Sequence, residues 1–182
     1  MKNFKQYFEQ VQGPAENIAL LPGGFKPPTK GHFKAFKYIL DSADKGIIFI
    51  GKKERDGITA EQSKAIWEIY SKYLGKPIET HISAVNPVRS VYEFADNNKH
   101  TGIIVGAGAK DEDIKRYDWF NKNIEKYPLV NITKIPIQSE GISGTKTRHL
   151  INSDIDEAIS YFTPDDMSET DKEAVKSIII NK

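Results

Sequence analysis

The densest cluster of chemistry-bearing residues in the chain is Gly23-Gly24-Phe25-Lys26-Pro27-Pro28-Thr29-Lys30-Gly31-His32. It follows the apolar stretch 18–21 and precedes an amphipathic helical pattern, so it reads as a strand, a Gly/Pro-rich loop and a helix start. Thr29 and His32 stand three residues apart across Gly31. A helix N-terminus presents unpaired N–H groups and the positive end of the dipole, which makes this loop a phosphate site. A histidine there adds a donor to a phosphoryl group. A second cluster, Ile142-Ser143-Gly144-Thr145-Lys146-Thr147-Arg148, also opens a helix, with Ser143 or Thr145 as its cap and Arg148 near the first turn. Hydroxyls, backbone amides and an arginine fork suit phosphate oxygens.

The elements that must position these groups alternate. Strands are expected at 17–21, 47–50, 78–83, 103–105 and 130–135. Phe33, Phe36, Lys37 and Leu40 mark a helix over 31–43. Thr59 and Gln62 form a capping box for a helix over 59–74, and Asn86-Pro87 caps and starts one over 87–97. Further helices are expected at 111–126, 145–152, 154–161 and from residue 168. Phe4, Tyr7, Phe8 and Val11 predict a short helix over 2–12, ended by Gly13-Pro14. The alternation predicts an α/β fold: a Rossmann-like, doubly wound parallel sheet over 17–152, an N-terminal helix within 1–16 and a C-terminal helical extension over 153–182. Thr163-Pro164-Asp165-Asp166 reads as a hinge before the last helix. Right-handed crossovers place the strand-to-helix loops along one edge, where such sheets bind ligands.

The chain of 182 residues suits one domain with a proper core. A net charge of +1 with 28% charged residues gives no global attraction for nucleic acid or membrane surfaces. There is no cysteine, which excludes disulfides and thiolate catalysis. The histidines His32, His81, His100 and His149 show no metal-ligand spacing, so no protein-built metal site is expected. No run reaches the roughly 18 apolar residues of a membrane span, and the N-terminus lacks the apolar core of a signal segment. A soluble cytoplasmic protein is expected.

The two clusters, in this order and about 110 residues apart, resemble the paired signatures of the nucleotidyltransferase superfamily, (His/Thr)-x-Gly-His and Ile-Ser-x-Thr-x-x-Arg. The resemblance covers residues 17–152. It implies a Rossmann-like domain that moves a nucleoside monophosphate from ATP or CTP to a phosphate-bearing acceptor with release of pyrophosphate. Members include nicotinamide- and nicotinate-nucleotide adenylyltransferases, phosphopantetheine adenylyltransferase, and glycerol-phosphate cytidylyltransferases. The chain is also similar to cytidylyltransferase-like proteins of large tailed bacteriophages. Thr29 and His32 take the two ends of the first signature. Threonine at that place is seen in the phosphopantetheine branch, while the ending at Arg148 fits the nicotinamide-nucleotide branch. Nicotinamide mononucleotide is thus the first acceptor expected, and a sugar- or polyol-phosphate paired with CTP the alternative.

The resemblance also implies roles. Gly23, Gly24, Phe25, Gly31 and His32 bind nucleotide, together with Gly106 and Gly108, where the family closes over it. His32 hydrogen-bonds the α-phosphoryl group, while Thr29 and Lys26 orient acceptor or triphosphate. Ser143, Thr145 and Arg148 hold the β- and γ-phosphates, and Mg²⁺ arrives with them. Lys52 and Lys53 meet the acceptor, with Arg89 as a second candidate. Many members carry an arginine soon after the loop at Gly108, and Lys110 is the nearest counterpart here. An acceptor phosphate is already ionised, so catalysis is positioning plus neutralisation of charge, with no protein nucleophile.

Without the resemblance, His32 reads as a capping or packed histidine and residues 52–55 as a solvated loop. Trp67, Tyr70 and Tyr73 fall at helical spacing and read as core. Trp119 and Phe120 line either an acceptor pocket or a subunit contact. His81, His100 and His149 read as structural or exposed. A nucleotide-binding module without turnover is the other function class. Base, acceptor and oligomeric state, a homo-oligomer included, stay open.

Overall fold

The computed structural model describes residues 16–108, 110–136 and 143–181. The helix expected at 2–12, and Ile142 of the second cluster, lie outside them. Strands β1 (Asn17–Gly23), β2 (Lys45–Ile50), β3 (Ile78–Ile82), β4 (Gly102–Ala107) and β5 (Val130–Lys134) form one sheet in the order β3-β2-β1-β4-β5, every pair parallel. The order reverses between β1 and β4, so their loops diverge and leave a crevice between them.

The connecting helices are α1 (Lys30–Leu40), α2 (Ala60–Ser71), α3 (Pro87–Asn97), α4 (Asp111–Lys115), α5 (Asp118–Lys122), α6 (Gly144–Ser153), α7 (Ile155–Phe162) and α8 (Glu169–Ile180). Both sheet faces are covered, which is why the central strands are apolar runs rather than alternating ones. Ala19 and Leu21 of β1 face a layer that includes Phe36 of α1, Trp67 and Tyr70 of α2, Phe162 of α7 and Val175 of α8. Ile18 and Leu20 face Val91 and Ala95 of α3 with Tyr117 and Phe120. Trp67 and Tyr70 are thus core. The Thr59–Gln62 capping box forms reciprocally at 2.9 and 3.1 Å, and Asn86 caps α3 with Pro87 in its first turn.

Two expectations need correction. The single helix expected over 111–126 is broken into α4 and α5. Tyr117, Phe120 and Asn123 each donate their N–H to the carbonyl three residues back, at 2.9, 3.0 and 3.1 Å. Tighter turns eclipse side chains three apart, and this brings Ile114, Tyr117 and Phe120 onto one inward line. On α1 the inward face carries Ile39 instead of Lys37, which is exposed.

The C-terminal helices share the main core. Ala158, Ile159, Phe162, Met167, Val175 and Ile179 are buried in the layer that holds Trp67. Gln62 of α2 donates to the Ile178 carbonyl at 2.8 Å, and Lys72 pairs with Asp171 at 2.7 Å. In the corner at 163–166, Thr163 is buried and Asp165 bridges Lys30 at 3.0 Å.

Candidate functional site

β1 ends where the first cluster begins. A Cβ on Gly23 would stand 2.5 Å from the Phe25 ring, so the glycine is what lets that ring fold back. Phe25 has φ +50, a left-handed conformation uncommon for a bulky residue and held only when its surroundings impose it. The surroundings are the buried face of α2. The Phe25 ring meets Trp67 edge-on at 5.4 Å, its carbonyl accepts from the Ser63 hydroxyl, and Tyr70 donates to the Pro28 carbonyl at 3.3 Å. Lys26 closes the loop from the other side. Its ammonium donates to the carbonyls of Gly24 and Gly51 at 2.8 and 2.9 Å, joining the ends of β1 and β2. Burial pulls its pKa down to about 8.

Thr29 is the N-cap of α1 and His32 its third helical residue, so the two form a capping box with histidine in the usual Glu/Gln place. The Thr29 N–H donates to His32 Nδ1 at 3.0 Å, and the Thr29 hydroxyl lies 2.9 Å from the same nitrogen. A backbone N–H is always a donor, so Nδ1 is unprotonated and the ring proton sits on Nε2, turned away from the cap. Burial lowers the His32 pKa to about 4. Phe25 packs edge-on against the imidazole at 5.1 Å. His32 is therefore a neutral donor of fixed tautomer at the N-terminus of α1.

A cleft of about 420 Å³ opens between the β1 and β4 loops, at the point where the strand order reverses. Of the residues singled out in the sequence, Gly23, Gly24, Phe25, Thr29, Gly31, His32, Gly106 and Gly108 line it. A Cβ on Gly31 would meet only Thr29 Oγ1 at 3.6 Å, and one on Gly24 nothing within 4 Å. Packing does not demand these two glycines; they keep space clear in the cleft. Gly106 differs, because a Cβ there would stand 2.8 Å from Ile135, and Gly108 is abutted by the Asp113 carboxylate.

The opposite wall was not read from the sequence. Asp113, Arg116 and Tyr117 line it, Arg116 pairing with Asp113 at 3.2 Å. Arg116 is the basic side chain after the Gly108 loop that lines the cleft, and Lys110 does not line it. The missed signal was the three-residue spacing of Ile114, Tyr117 and Phe120, which marks the break that turns this segment inward. Tyr92 of α3 donates to the Arg116 carbonyl at 2.6 Å and stacks on Phe120 at 4.5 Å, bracing that wall. Burial raises the Tyr117 hydroxyl above its ordinary pKa.

The remaining candidates stand around the cleft rather than in its wall. Ser143 caps α6, accepting from the Lys146 N–H at 3.2 Å. Gly144 lines the cleft, and Arg148 lies behind it, donating to the Lys26 carbonyl at 3.2 Å, to Thr145 Oγ1 at 3.4 Å and to the Asp56 carboxylate. Lys52 and Lys53 are exposed on the β2–α2 loop, and Arg89 is exposed and paired with Glu93 at 2.8 Å. Phe120 is buried while Trp119 is exposed, neither lining the cleft. His81 pairs with Glu79 at the surface, and His100 and His149 are exposed. Among the described residues no three His, Asp or Glu side chains cluster as a metal site, and no helix is long and apolar enough to cross a membrane.

The parallel sheet, its reversal between β1 and β4, and the Gly-lined cleft at that reversal define a Rossmann-like α/β fold. No family model matches the sequence, and comparison with curated proteins finds no match. Solved structures share the fold. A Vibrio parahaemolyticus protein assigned as a nicotinate-nucleotide adenylyltransferase superposes with a TM-score of 0.60 at 15% identity, covering 88% of this chain and 98% of its own. The Plasmodium falciparum nicotinic acid mononucleotide adenylyltransferase, solved with APC, gives 0.58 at 15% identity over 91% and 95%. A Francisella tularensis bifunctional NMN adenylyltransferase/ADP ribose pyrophosphatase, complexed with AMP and a Mn ion, gives 0.51 at 18% identity over 76% of this chain and 42% of that one.

Proposed function

We propose that the chain is a nucleotidyltransferase that moves a nucleoside monophosphate from a triphosphate to a phosphate-bearing acceptor, with ATP and nicotinamide or nicotinate mononucleotide as the first pair. The observation that carries this reading is His32: a neutral Nε2–H donor, its tautomer fixed by the Thr29 cap, lining a cleft at a helix N-terminus. An acceptor phosphate oxygen attacks the α-phosphorus in line, a new P–O bond forms, and the bond to the β-phosphate oxygen breaks as pyrophosphate leaves. His32 stabilises charge on the transferring group without giving up its proton, which suits electrostatic rather than acid–base catalysis. The N–H groups at the start of α1 add to it. Arg116 faces the nucleotide from the β4 wall, and Ser143, Thr145 and Arg148 meet the outer phosphates. Lys26 keeps the loop in shape. Lys52, Lys53 and Arg89 draw the acceptor to the same sheet edge. A divalent cation, Mg²⁺ in this reading, would be held chiefly by phosphate oxygens and neutralise their charge. The likeness in fold to adenylyltransferases supports the reading.

The engagement of Arg148 by Asp56 favours a second reading, a nucleotide-binding module without turnover. One experiment separates the two: pyrophosphate release from ATP and from CTP with Mg²⁺, against nicotinamide mononucleotide, nicotinate mononucleotide, phosphopantetheine and glycerol-phosphate. Release from one pair that vanishes in His32→Ala establishes the enzyme, its base and its acceptor. Silence throughout, with nucleotide still raising the melting temperature, favours the module or an acceptor outside this panel.

A further inference from the structure

Asp56 reaches Arg148 from the tip of a short turn. Arg55 and Ile58 close that turn with two backbone hydrogen bonds of 3.1 and 3.0 Å, and the central residues Asp56 and Gly57 both have positive φ, +51 and +79. This is the two-residue hairpin geometry that Asp-Gly favours, so the carboxylate is delivered by a turn that local sequence alone stabilises. The partners differ in what holds them. The Arg148 side chain is 12% exposed and anchored on the Lys26 carbonyl and Thr145, whereas Asp56 is 56% exposed. An incoming anion can send the carboxylate back to water, but the guanidinium has nowhere else to go. The approach lies over Gly144, which lines the cleft and on which a Cβ would stand 3.1 Å from an Arg148 terminal nitrogen. Lys52, Lys53 and Arg55, set against Glu54, leave the approach to the turn net positive, which favours anions there.

We propose that Asp56 is a specificity-determining residue that acts as an internal anion on Arg148, exchanged for the outer phosphates of a polyphosphate. The proposal rests on the reading of Arg148 as a phosphate-binding residue. Phosphate engages the arginine fork through more charge and more acceptor oxygens than the carboxylate it replaces. A ligand with only an α-phosphate does not reach the pair and gains nothing from its exchange. When pyrophosphate leaves, Asp56 returns to Arg148 and opposes rebinding of the product.

The test is calorimetric titration of ATP, AMP and inorganic pyrophosphate into the full chain, its Asp56→Asn variant and its Arg148→Ala variant at low salt. Asparagine tolerates the left-handed conformation as aspartate does, so Asp56→Asn keeps the turn. It is expected to bind ATP and pyrophosphate about two- to fivefold more tightly, the size of one exposed ion pair, with AMP unchanged. Equal or weaker pyrophosphate binding in Asp56→Asn, alongside weaker binding in Arg148→Ala, overturns the proposal and makes Asp56 a residue that only orients the arginine. Unchanged pyrophosphate binding in Arg148→Ala instead overturns the phosphate role of Arg148 itself.

Discussion

On the β1 side of the cleft, Phe25 and His32 are clamped between α2 and the cap of α1, whereas on the β4 side Asp113 stands on the five-residue helix α4 and Arg116 at its C-terminal cap, well exposed. The first wall fixes one neutral donor in position, tautomer and charge. The second offers a full charge, shared between two side chains that water also reaches. Burial makes the difference, since a donor in a water-poor site stabilises developing charge far more than the same group in solvent. The β1 wall therefore suits the step in which charge moves, and the β4 wall suits admission and retention of the nucleotide.

Replacing His32 by alanine probes the contrast most severely. The variant is expected to lose about 2–4 kcal/mol of transition-state stabilisation, the size of a lost oxyanion-type donor, read as kcat falling with little change in nucleotide KM. Near-wild-type kcat would end the claim that the β1 wall does the chemistry. Thr29→Ala removes the cap side chain and should lower stability by about 1 kcal/mol, seen in denaturant unfolding, with a smaller drop in kcat. A loss of stability without any loss of kcat would separate the cap from the donor.

Acidity sharpens the same point. The His32 pKa in the folded chain, about 4, lies below the ordinary 6.5, so the unfolded chain takes up the proton first as pH falls. Stability should decline as pH drops from about 6.5 toward about 4, and His32→Ala should remove that part of the decline. Equal acid sensitivity in both proteins would show that the imidazole is not held neutral. The smallest effect is expected for Arg116→Ala, a rise in nucleotide KM worth about 1 kcal/mol or less with kcat and melting temperature unchanged, since its ion pair is exposed. A fall in kcat there would move part of the chemistry to the β4 wall.

What the sequence displayed was local. The Thr29–His32 and Thr59–Gln62 pairs lie three residues apart, within one helical turn, and the apolar strands need no partner to be recognised. The parallel, doubly wound sheet followed from strand–helix alternation, and the line of loops along one edge from the handedness of crossovers; the strand order did not. The β4 wall was hidden because Ile114, Tyr117 and Phe120 fit a continuous helix almost as well as a broken one, and a continuous helix gave no reason to single out Arg116. Asp56 was hidden for another reason: its partner is 92 residues away, and nothing near it in the chain points there. The mix-up of Lys37 and Ile39 on α1 has the same root, since one turn of periodicity tolerates neighbours that only the sheet can tell apart.

The α8 contacts also set an order of events. Phe25 keeps its left-handed backbone because α2 lies against it, and α2 is covered in turn by Val175 and Ile179, the Ile178 carbonyl and Asp171. Full support of the loop that carries the first cluster therefore includes residues 169–180, which leave the ribosome some 140 residues after the loop itself. A nascent chain stopped before α8 would hold every cleft residue and still lack the support that shapes the cleft.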